Sequence, residues 1–585
     1  MRFYLFGLQT INEIMAAGPS THPINRLFHL IQLEGRDIYH IYFYSILAGL
    51  ISLSLPLGVQ SIISFLMGGT LSASLVVLIT IVVGGTLLNG ALQVFKLRII
   101  ERVSQRMFSR IAYNLGYRIP RLDMQSIDGY HLPELMNRFF EVSTIQKSFS
   151  KILLDFPTAI TQILIGLILL SVYSQVFLLF GLLLILLLLI FIRYTARLGL
   201  QTSLEESDHK YSMAAWLEEL SRNVFTFKFH LNEKLPLTMT SSIVERYLSA
   251  RNKHFNVLQR QYLAVIIFKV LITAVLLIVG TALFINKQLN LGQFIVVDIV
   301  IILLADSIEK VIINMDGVYD LLTSLEKASK IGGLSIQSEG NMKTSFVAPV
   351  KVQLKDVSFK YQPHMPFIVK DLNLQVEPGE RIALVGFNEA GRGTLLKLIA
   401  GTFDVYSGSI RVNDLPLQTL DQELFRESLS ILLEKETLMA TTLWDNLTLG
   451  IENVNQDELK KLIHIAGLDD YVSELSLGFD TKMDPTLLRV SRHVSHRLLW
   501  CRWMLDVKPL MMAEDTWTKW DSFHGFRMTN HMQTLQRKNT LIVSTTSRHL
   551  IQTCDRVITM THGEIGGIYT KEEFSSHNWY NKLRE

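Results

Sequence analysis

Cysteine and charged residues are both scarce in this chain of 585 residues. Its two cysteines, Cys501 and Cys554, are far apart and in no metal-ligand spacing, which excludes a disulfide-built extracellular module and favours a reducing compartment. Charged residues make up 19%, below the roughly 25% of soluble domains, whereas 49% are apolar. The composition therefore excludes a fully water-soluble globule and a largely disordered chain. The net charge of +3 is too balanced to indicate a nucleic-acid partner.

Long apolar runs are concentrated in the first half of the chain. At about 1.5 Å of rise per residue, each is long enough to cross a hydrocarbon core of about 30 Å. Six spans through a lipid bilayer are predicted, near residues 42–66, 73–95, 152–172, 176–192, 261–285 and 291–312. Basic residues, Lys96 among them, are concentrated in the connections 96–151 and 194–260, which predicts that these loops and both termini are cytoplasmic. The opening MRFYLFGLQT lacks the pattern of a signal peptide.

The long apolar runs of the sequence end before residue 330, and a different pattern follows. We expect an N-terminal segment at 1–25, a six-helix membrane domain at 26–330, a Gly- and Ser-rich linker at 331–348 and an α/β domain at 349–585. In the last region, short β-like runs alternate with helical ones. The β-like runs are Val350–Leu354, Arg381–Val385 and Thr540–Ser544. Such alternation is typical of a compact α/β domain.

One loop in the α/β domain has part of a phosphate-binding pattern. Residues 381–401 read RIALVGFNEAGRGTLLKLIAG, an apolar strand, a loop from Gly386 to Gly391 and a helix beginning near Thr394. Backbone N–H groups of such a loop and helix N-terminus form a cradle for phosphates. The pattern continues with Lys and then Ser or Thr, but Arg392 and Gly393 stand there. By this pattern alone the match fails.

Further landmarks follow in order along the chain. They are VSFKYQP with Tyr361, GERIALVG, SGSI (407–410), WDNL (444–447), GFDTKM (478–483), KPLMMAEDT (508–516) and, in the membrane half, LPELMNRFFEVSTIQK (132–147). With them the chain resembles the ATP-binding cassette (ABC) family. The whole resembles its exporters, in which an α-helical membrane domain of six helices is fused to an α/β ATPase-like cassette with a P-loop fold. It is most similar to haemolysin-type secretion exporters of bacteria.

The resemblance implies a role for each position of a nucleotide site. Tyr361 matches the adenine-stacking aromatic, although a lone Tyr is more often a half-buried packing residue. Arg392 matches the phosphate-loop lysine, and its planar guanidinium is a doubtful replacement for a compact ammonium. Gly393 stands at the position where the family has a residue whose hydroxyl holds Mg²⁺. Glu389 stands inside the cradle, where the family has glycine, and two like charges about 4 Å apart cost about 4 kcal/mol at an effective dielectric near 20.

The hydrolytic positions depart from the family as well. Glu434 matches a glutamine that senses the γ-phosphate, and the signature loop reads Val490-Ser491-Arg492-His493-Val494. The metal-orienting Asp and the catalytic Glu match Glu514 and Asp515, in reversed order, and successive side chains at a strand end point to opposite sides. The switch histidine matches Thr546. We therefore expect a cassette that keeps its fold, has lost competent hydrolysis, and binds ATP and Mg²⁺ weakly or not at all.

Three functions stay open at this stage. The first is an exporter subunit whose nucleotide-dependent opening is weakened or supplied by a partner. The second is a membrane scaffold or adaptor-docking protein without transport, and the third is an active ATPase with unusual residues. The resemblance implies a homodimer, or a heterodimer with another ABC half-transporter, in the bacterial cytoplasmic membrane. A periplasmic membrane-fusion adaptor is a further partner that it implies.

Charged and bulky residues in unusual places supply the last expectations. Lys269 and Asp306 are both predicted at the inner interface, where they can pair or, as we favour, reach water separately. Asp298 is predicted near the middle of the bilayer, either lining a central cavity between protomers or buried and neutral. Four tryptophans in the cassette predict a repacked core or a protein contact, namely Trp500, Trp503, Trp517 and Trp520.

Overall fold

Long apolar helices followed by two sheets make up the computed structural model of this chain. It describes residues 23–67, 73–127, 132–173, 175–229, 234–387, 390–404, 406–483, 490–518, 522–534 and 538–583. The chain divides into two units. The first comprises Met1–Pro120 and Tyr130–Leu334, and the second comprises Arg121–Gly129 and Ser335–Glu585.

The first unit is helical. Its helices are α1 (Pro23–Leu33), α2 (Gly35–Ser52), α3 (Ser54–Met67), α4 (Ala73–Arg118), α5 (Leu132–Asn137), α6 (Glu141–Tyr173), α7 (Gln175–Arg222), α8 (Val224–Phe229), α9 (Lys234–Val275), α10 (Thr281–Ile285), α11 (Leu291–Ile313) and α12 (Met315–Gly332). A π-helical turn, Leu276–Gly280, joins α9 to α10. Six helical stretches in the described residues are long and apolar enough to cross a membrane, as predicted. Because α4, α6, α7 and α9 are much longer than about 20 residues, each extends well beyond a bilayer core.

Lys96 is not part of an exposed loop. It lies within α4 and is 1% exposed, and its ammonium donates to the hydroxyls of Ser45 (3.3 Å) and Thr158 (2.6 Å). The sequence prediction counted it with the basic residues of a cytoplasmic connection, because that count ended the span where the hydropathy falls. Lys96 lies on the continuation of this helix, and one hydroxyl each from α2 and α6 accepts from its ammonium.

Charged side chains of the last two spans form ion pairs. Lys269 on α9 pairs with Asp306 (Nζ to Oδ1, 3.3 Å) and with Glu309, both on α11. Our preference for separate contacts with water was therefore wrong, since two carboxylates one turn apart flank the same ammonium. Asp298 is half-buried on the same helix, two turns before Asp306.

The second unit contains two sheets. Its strands are β1 (Val352–Phe359), β2 (Val369–Val376), β3 (Arg381–Val385), β4 (Ser407–Val412), β5 (Leu415–Pro416), β6 (Leu429–Leu432), β7 (Leu510–Glu514), β8 (Thr540–Ser544), β9 (Arg556–Thr561) and β10 (Glu564–Thr570). One sheet has the order β2-β1-β4-β5 and is antiparallel. The other has the order β10-β9-β3-β8-β7-β6 and is parallel from β9 to β6. Its inner strands are continuous apolar runs because both faces are buried.

Helices complete this unit. They are α13 (Arg392–Ile399), α14 (Gln422–Glu427), α15 (Leu443–Thr448), α16 (Gln456–Ile465), α17 (Asp469–Glu474), α18 (Arg492–Leu505), α19 (Ser522–Thr534), α20 (Arg548–Gln552) and α21 (Lys571–Ser575). The predicted strands at 381–385 and 540–544 are confirmed, and the first one begins at Val352 rather than Val350. The predicted linker begins within the last turn of α12, and its residue Met342 bridges Leu420 in the second unit.

The tryptophans of the second unit are core residues. Trp500, Trp503 and Trp517 are at most 2% exposed, and the rings of Trp503 and Trp517 stack with centroids 5.8 Å apart. Of the two predicted alternatives, a core position rather than a protein contact is thus confirmed for these three tryptophans, whereas Trp520 lies outside the described residues. Both cysteines are buried and free.

Candidate nucleotide site of the α/β domain

The carboxyl ends of three parallel strands define the candidate site. Ser544 at the end of β8 is in register with Leu384 of β3 and with Glu514 of β7. Because ligands of open parallel sheets bind at this edge, the residues that follow each strand are the candidate site residues. They line a cavity of about 370 Å³ together with the start of α13.

The described part of the loop after β3 ends at a glycine with a left-handed backbone conformation. Gly391 has φ +83°, and a Cβ there would lie 2.5 Å from the carbonyl oxygen of Ile368, so only glycine fits. Gly386 is buried, and Thr394 lies in the first turn of α13 and lines the cavity. Glu389, which we expected to oppose phosphate, lies outside the described residues.

The side chain of Glu514 lies where a side chain at residue 393 would be. A Cβ on Gly393 would lie 2.0 Å from Oε1 of Glu514. The other carboxylate oxygen of Glu514 accepts a hydrogen bond of 2.6 Å from the backbone N–H of Glu434. The protein's own carboxylate therefore fills the position where a hydroxyl at residue 393 would project.

Arg392 lies in the cavity among several carboxylates. Its guanidinium donates to the carbonyl oxygen of Thr545 at 3.5 Å. Burial lowers the pKa of Arg392, while Glu514, Glu434 and Asp515 act in the opposite direction and favour its charged form. Arg392 thus already has three negative neighbours within the fold.

Asp515 is tied to its own strand end. It is 4% exposed, and its Oδ1 accepts from the N–H of Thr518 at 3.0 Å. Its Oδ2 accepts from the hydroxyls of Thr545 (2.5 Å) and Thr518. A carboxylate that accepts from three protein donors caps the turn after β7. It has little capacity left to activate a water molecule.

Two other predicted positions have local structural roles. Tyr361 packs edge-on against Phe359 (5.1 Å between centroids) and Phe403 (5.6 Å), and its hydroxyl lies 3.0 Å from that of Thr394. Tyr361 is thus half-buried against two phenylalanines, as the packing interpretation expects. Ser491 is exposed and caps α18, since its Oγ accepts from the N–H of Val494.

The cavity also contains residues that the sequence reasoning missed. Lys397 and Thr545 line it beside Thr546. Lys397 was detectable, because it lies one helical turn after Gly393 on the same face of α13. Counted by formal charge, Glu434, Glu514 and Asp515 outnumber Arg392 and Lys397, so the cavity does not favour an anion.

A segment after β10 contacts the loop from outside the cavity. The ring of Phe387, in the loop after β3, lies 5.4 Å from that of Trp579. Arg548, at the start of α20, donates to the carbonyl oxygens of Tyr580 and Asn581, both at 3.1 Å. We call residues 579–581 the brace, because they connect the two loops that flank the cavity.

Known families match both halves of the sequence. Residues 38–306 match the ABC transporter transmembrane region and residues 369–492 match the ABC transporter family, which together cover more than half of the chain. The chain belongs to the ABC transporter family. ABC cassettes bind ATP with magnesium, so magnesium-bound ATP is the ligand that the family implies for this cavity.

Individual relatives are distant. The Lactococcin-A transport/processing ATP-binding protein LcnC of Lactococcus lactis is 20% identical over 95% of this chain and 78% of its own length. The ATP-dependent lipid A-core flippase of Alkalilimnicola ehrlichii is 25% identical over 39% of each protein, so the chain spans about two fifths of that relative. Among solved structures, a bacterial Atm1-family ABC exporter with ATP bound matches with TM-score 0.83 and 16% identity, covering 94% of this chain and 98% of that one. This last likeness concerns the fold alone.

The residues of the cavity do not fit magnesium-bound ATP. Gly393 stands at the position that the resemblance assigns to a metal-binding hydroxyl, and Glu514 occupies the space beside it. The matched catalytic carboxylate is engaged by Thr518 and Thr545. The fold of an ABC cassette is therefore present, with Gly393 and Asp515 at the positions that the resemblance assigns to the metal-binding hydroxyl and the catalytic carboxylate.

Proposed function

We propose that this chain is a subunit of a dimeric exporter-type transporter in the cytoplasmic membrane of a bacterium, with ATP hydrolysis by its own cassette lost or strongly impaired. The six apolar helices and the cassette fold support the transporter part. The observation that carries the second part is the Glu514 side chain, which fills the space over Gly393 and is fixed by the N–H of Glu434.

The dimer would share its sites between protomers. In this family two cassettes meet head to tail, so that each nucleotide lies between one phosphate loop and the other chain's signature segment. A homodimer of this chain pairs a defective loop with a defective signature twice. A heterodimer with an intact half-transporter still has one impaired half in each site, so opening depends on the partner's contribution.

The membrane half would supply the translocation path. We place Asp298 on the wall of a central cavity between protomers, because a half-buried carboxylate in a span needs protein or water around it. The relatives' names refer to Lactococcin-A, to lipid A-core and to multidrug export, so the proposed activity is export without a single cargo. An adaptor in the periplasm is part of the proposal for the secretion-type assembly.

Purified full-length protein in detergent or nanodiscs tests the proposal. We expect phosphate release with ATP and Mg²⁺ at the background rate, and no change on Asp515→Asn. A matched preparation of an intact ABC exporter serves as the positive control for the assay. Turnover above background that Asp515→Asn abolishes would show instead that the cassette is an active ATPase.

Mass measurement of the tagged protein, solubilised gently from its own membrane, tests the assembly. We expect a mass of two ABC chains, either two copies of this chain or one copy with a second half-transporter. A monomer at every concentration and in every mild detergent would contradict the proposed dimer.

A further inference from the structure

Exposed basic residues stand at the same end of three packed spans. Helix α6 packs against both α4 and α7, and each of the three has two exposed bases four residues apart near the end of its apolar run. The pairs are Arg98 and Arg102 on α4, Lys147 and Lys151 on α6, and Arg193 and Arg197 on α7. Residues four apart lie on one face of a helix, so each helix presents two charges together. We call these six residues the basic belt.

Contacts between α4 and α6 place their two pairs in one layer. The ammonium of Lys96 on α4 donates to the hydroxyl of Thr158 on α6. Further along α4, the carbonyl oxygen of Ser104 accepts from the side-chain amide of Gln146. The two helices therefore run in opposite directions between these bonds. Both pairs of the belt on α4 and α6 fall within that interval of the sequence, so they lie side by side.

Contacts between α6 and α7 add the third pair to this layer. A Cβ on Gly181 of α7 would lie 2.3 Å from the side chain of Leu167 on α6. Further along, Lys210 of α7 pairs with Glu141 of α6 at 2.9 Å, so these helices also run in opposite directions. Counted from the first contact, the sixteenth residue on each helix is a base of the belt, about 24 Å away.

This layer coincides with one edge of the predicted hydrocarbon core. The predicted spans 73–95, 152–172 and 176–192 each end within three residues of the nearest base of the belt. The second base of each pair lies about 6 Å further along its helix, within a headgroup region of about 5–8 Å. Tyr194, beside Arg193, is 82% exposed, and tyrosine rings are enriched at this level of membranes.

The bases of the belt differ from those further along the same helices. In the part of the chain that the structure describes, none of the six is paired with a carboxylate. By contrast, Arg106 and Arg110 of α4 both pair with Glu34, at 3.0 and 2.7 Å. Lys210 of α7 pairs with Glu141. Bases beyond the headgroup layer thus have counter-charges within the protein, and the bases inside this layer do not.

Acids are few beside the belt. The stretches 96–105, 145–158 and 190–200 contain two, Glu101 and Asp155. Glu101 accepts from the amide of Gln105 at 2.8 Å, and Asp155 accepts from that of Asn314 at 3.0 Å. Six bases of the belt therefore face two acids that are engaged elsewhere. Such a local excess of positive charge attracts anions.

We propose that the basic belt binds the phosphate groups of anionic phospholipids in the leaflet that faces it, with their acyl chains along the apolar runs of α4, α6 and α7. The guanidinium groups on α4 and α7 donate in pairs to phosphate oxygens, and the ammonium groups on α6 act as point charges. A zwitterionic headgroup gains less, because it brings its own positive charge to the same place. This binding requires the membrane location of the chain, but neither ATP hydrolysis nor the proposed dimer.

Native mass spectrometry of the purified full-length protein in a neutral detergent tests the belt. We expect phosphatidylglycerol to bind at least about fivefold more tightly than phosphatidylcholine with the same acyl chains, and this preference to shrink as salt is raised. Equal affinity for the two lipids would overturn the proposal. Displacement of phosphatidylglycerol by an equal concentration of glycerol 3-phosphate would overturn it as well, because a soluble phosphate would then be the better ligand.

Paired substitutions locate the lipid. We expect Arg193→Gln with Arg197→Gln to weaken phosphatidylglycerol binding about fivefold and to leave phosphatidylcholine binding unchanged. Arg251→Gln with Lys253→Gln is the matched control. It removes the same two charges, but from bases that pair with carboxylates of α7 away from the belt, and should leave the lipid preference unchanged. An equal effect of the two double variants, or none in the belt variant with its thermal transition preserved, would overturn the proposal independently of any ATPase result.

Discussion

Gly393 and Glu514 are far apart in the sequence, but each residue determines what the other can be. A Cβ at residue 393 would lie 2.0 Å from Oε1 of Glu514, the far end of a flexible side chain. A new side chain there must displace this carboxylate and break its hydrogen bond to Glu434. The two positions therefore form one unit, and substitutions at them should not act independently.

A double-mutant cycle measures this dependence. We expect Gly393→Ser to lose the Glu514–Glu434 hydrogen bond, at a cost of about 1 kcal/mol, and Glu514→Asp to remove that cost because its side chain is one methylene shorter. Thermal and denaturant unfolding of the single and double variants should give a coupling energy of about 1 kcal/mol. Gly393→Ala is the matched control for the added Cβ without the hydroxyl. Strict additivity would contradict the contact.

Asp515 should behave as a structural cap. We expect Asp515→Asn to lower the free energy of unfolding by about 1–3 kcal/mol, because an amide has one acceptor oxygen for three donors. Denaturant titration of the second unit's transition measures the loss. Asp506→Asn, at a more exposed carboxylate paired with Lys508, is the control and should change stability by less than about 1 kcal/mol. An equal effect of the two variants would show that the cap contributes nothing particular.

Residue identities in the cassette could be aligned from the sequence, but their contacts could not. The substitution of Gly393 and the reversal at 514 and 515 are visible in the printed chain. That Glu514 reaches the backbone of Glu434 depends on the register of β6, β7 and β8, which brings distant loops to one edge. Thr545 and Thr518 were missed for the same reason, since no pattern in the sequence indicates which hydroxyls face Asp515.

At the scale of elements, the contacts of the brace were not indicated by any of the sequence motifs, none of which includes residues 579–581. Residues 579–581 contact the loop after β3 through Phe387 and the start of α20 through Arg548. Those two elements flank the cavity, and the brace contacts both of them. Order in the loop after β3 should therefore depend on the brace.

Hydrogen exchange measures that dependence. We expect Trp579→Ala to speed amide exchange in peptides that contain Gly391 and Arg392 by about tenfold, corresponding to about 1.4 kcal/mol of lost local stability. Trp444→Ala is the matched control, because this ring contacts Phe479 and not the loop. Equal exchange in the loop for wild type and Trp579→Ala would show that the brace does not stabilise it.

The elements themselves were largely predictable. Continuous apolar runs gave the six spans, and buried parallel strands such as β3 and β8 gave the sheet, because both follow from burial of whole faces. The pairing of Lys269 with two carboxylates and the burial of Lys96 were not predicted. Both depend on which helix faces meet, and hydropathy carries no information on that point.

At the scale of the whole molecule, the two cysteines report on the integrity of the cassette. Burial raises the pKa of the Cys554 thiol to about 12 and also raises that of Cys501. We expect neither thiol to react with a maleimide at pH 8 in the native protein, and both to react after denaturation. Mass spectrometry of the labelled protein counts the modified thiols. Rapid labelling of either one under native conditions would contradict this burial.

The same shift gives a dependence of stability on pH. The folded-state pKa of Cys554 lies above its ordinary value of 9.0. Protonation of this thiol therefore stabilises the fold fully below that ordinary value, and the contribution is lost as the pH rises towards 12. Unfolding of Cys554→Ala, compared with wild type between pH 8 and about 11, should show a smaller loss at high pH in the variant.

The filled space above Gly393 also restricts how this protein can change over generations. A mutation that restores a hydroxyl at position 393 meets an occupied volume, and one that shortens Glu514 first removes a bond without returning any catalysis. Neither first step is favoured by selection for hydrolysis. Under the proposed loss of hydrolysis, a return to catalysis therefore favours paired changes at residues 393 and 514.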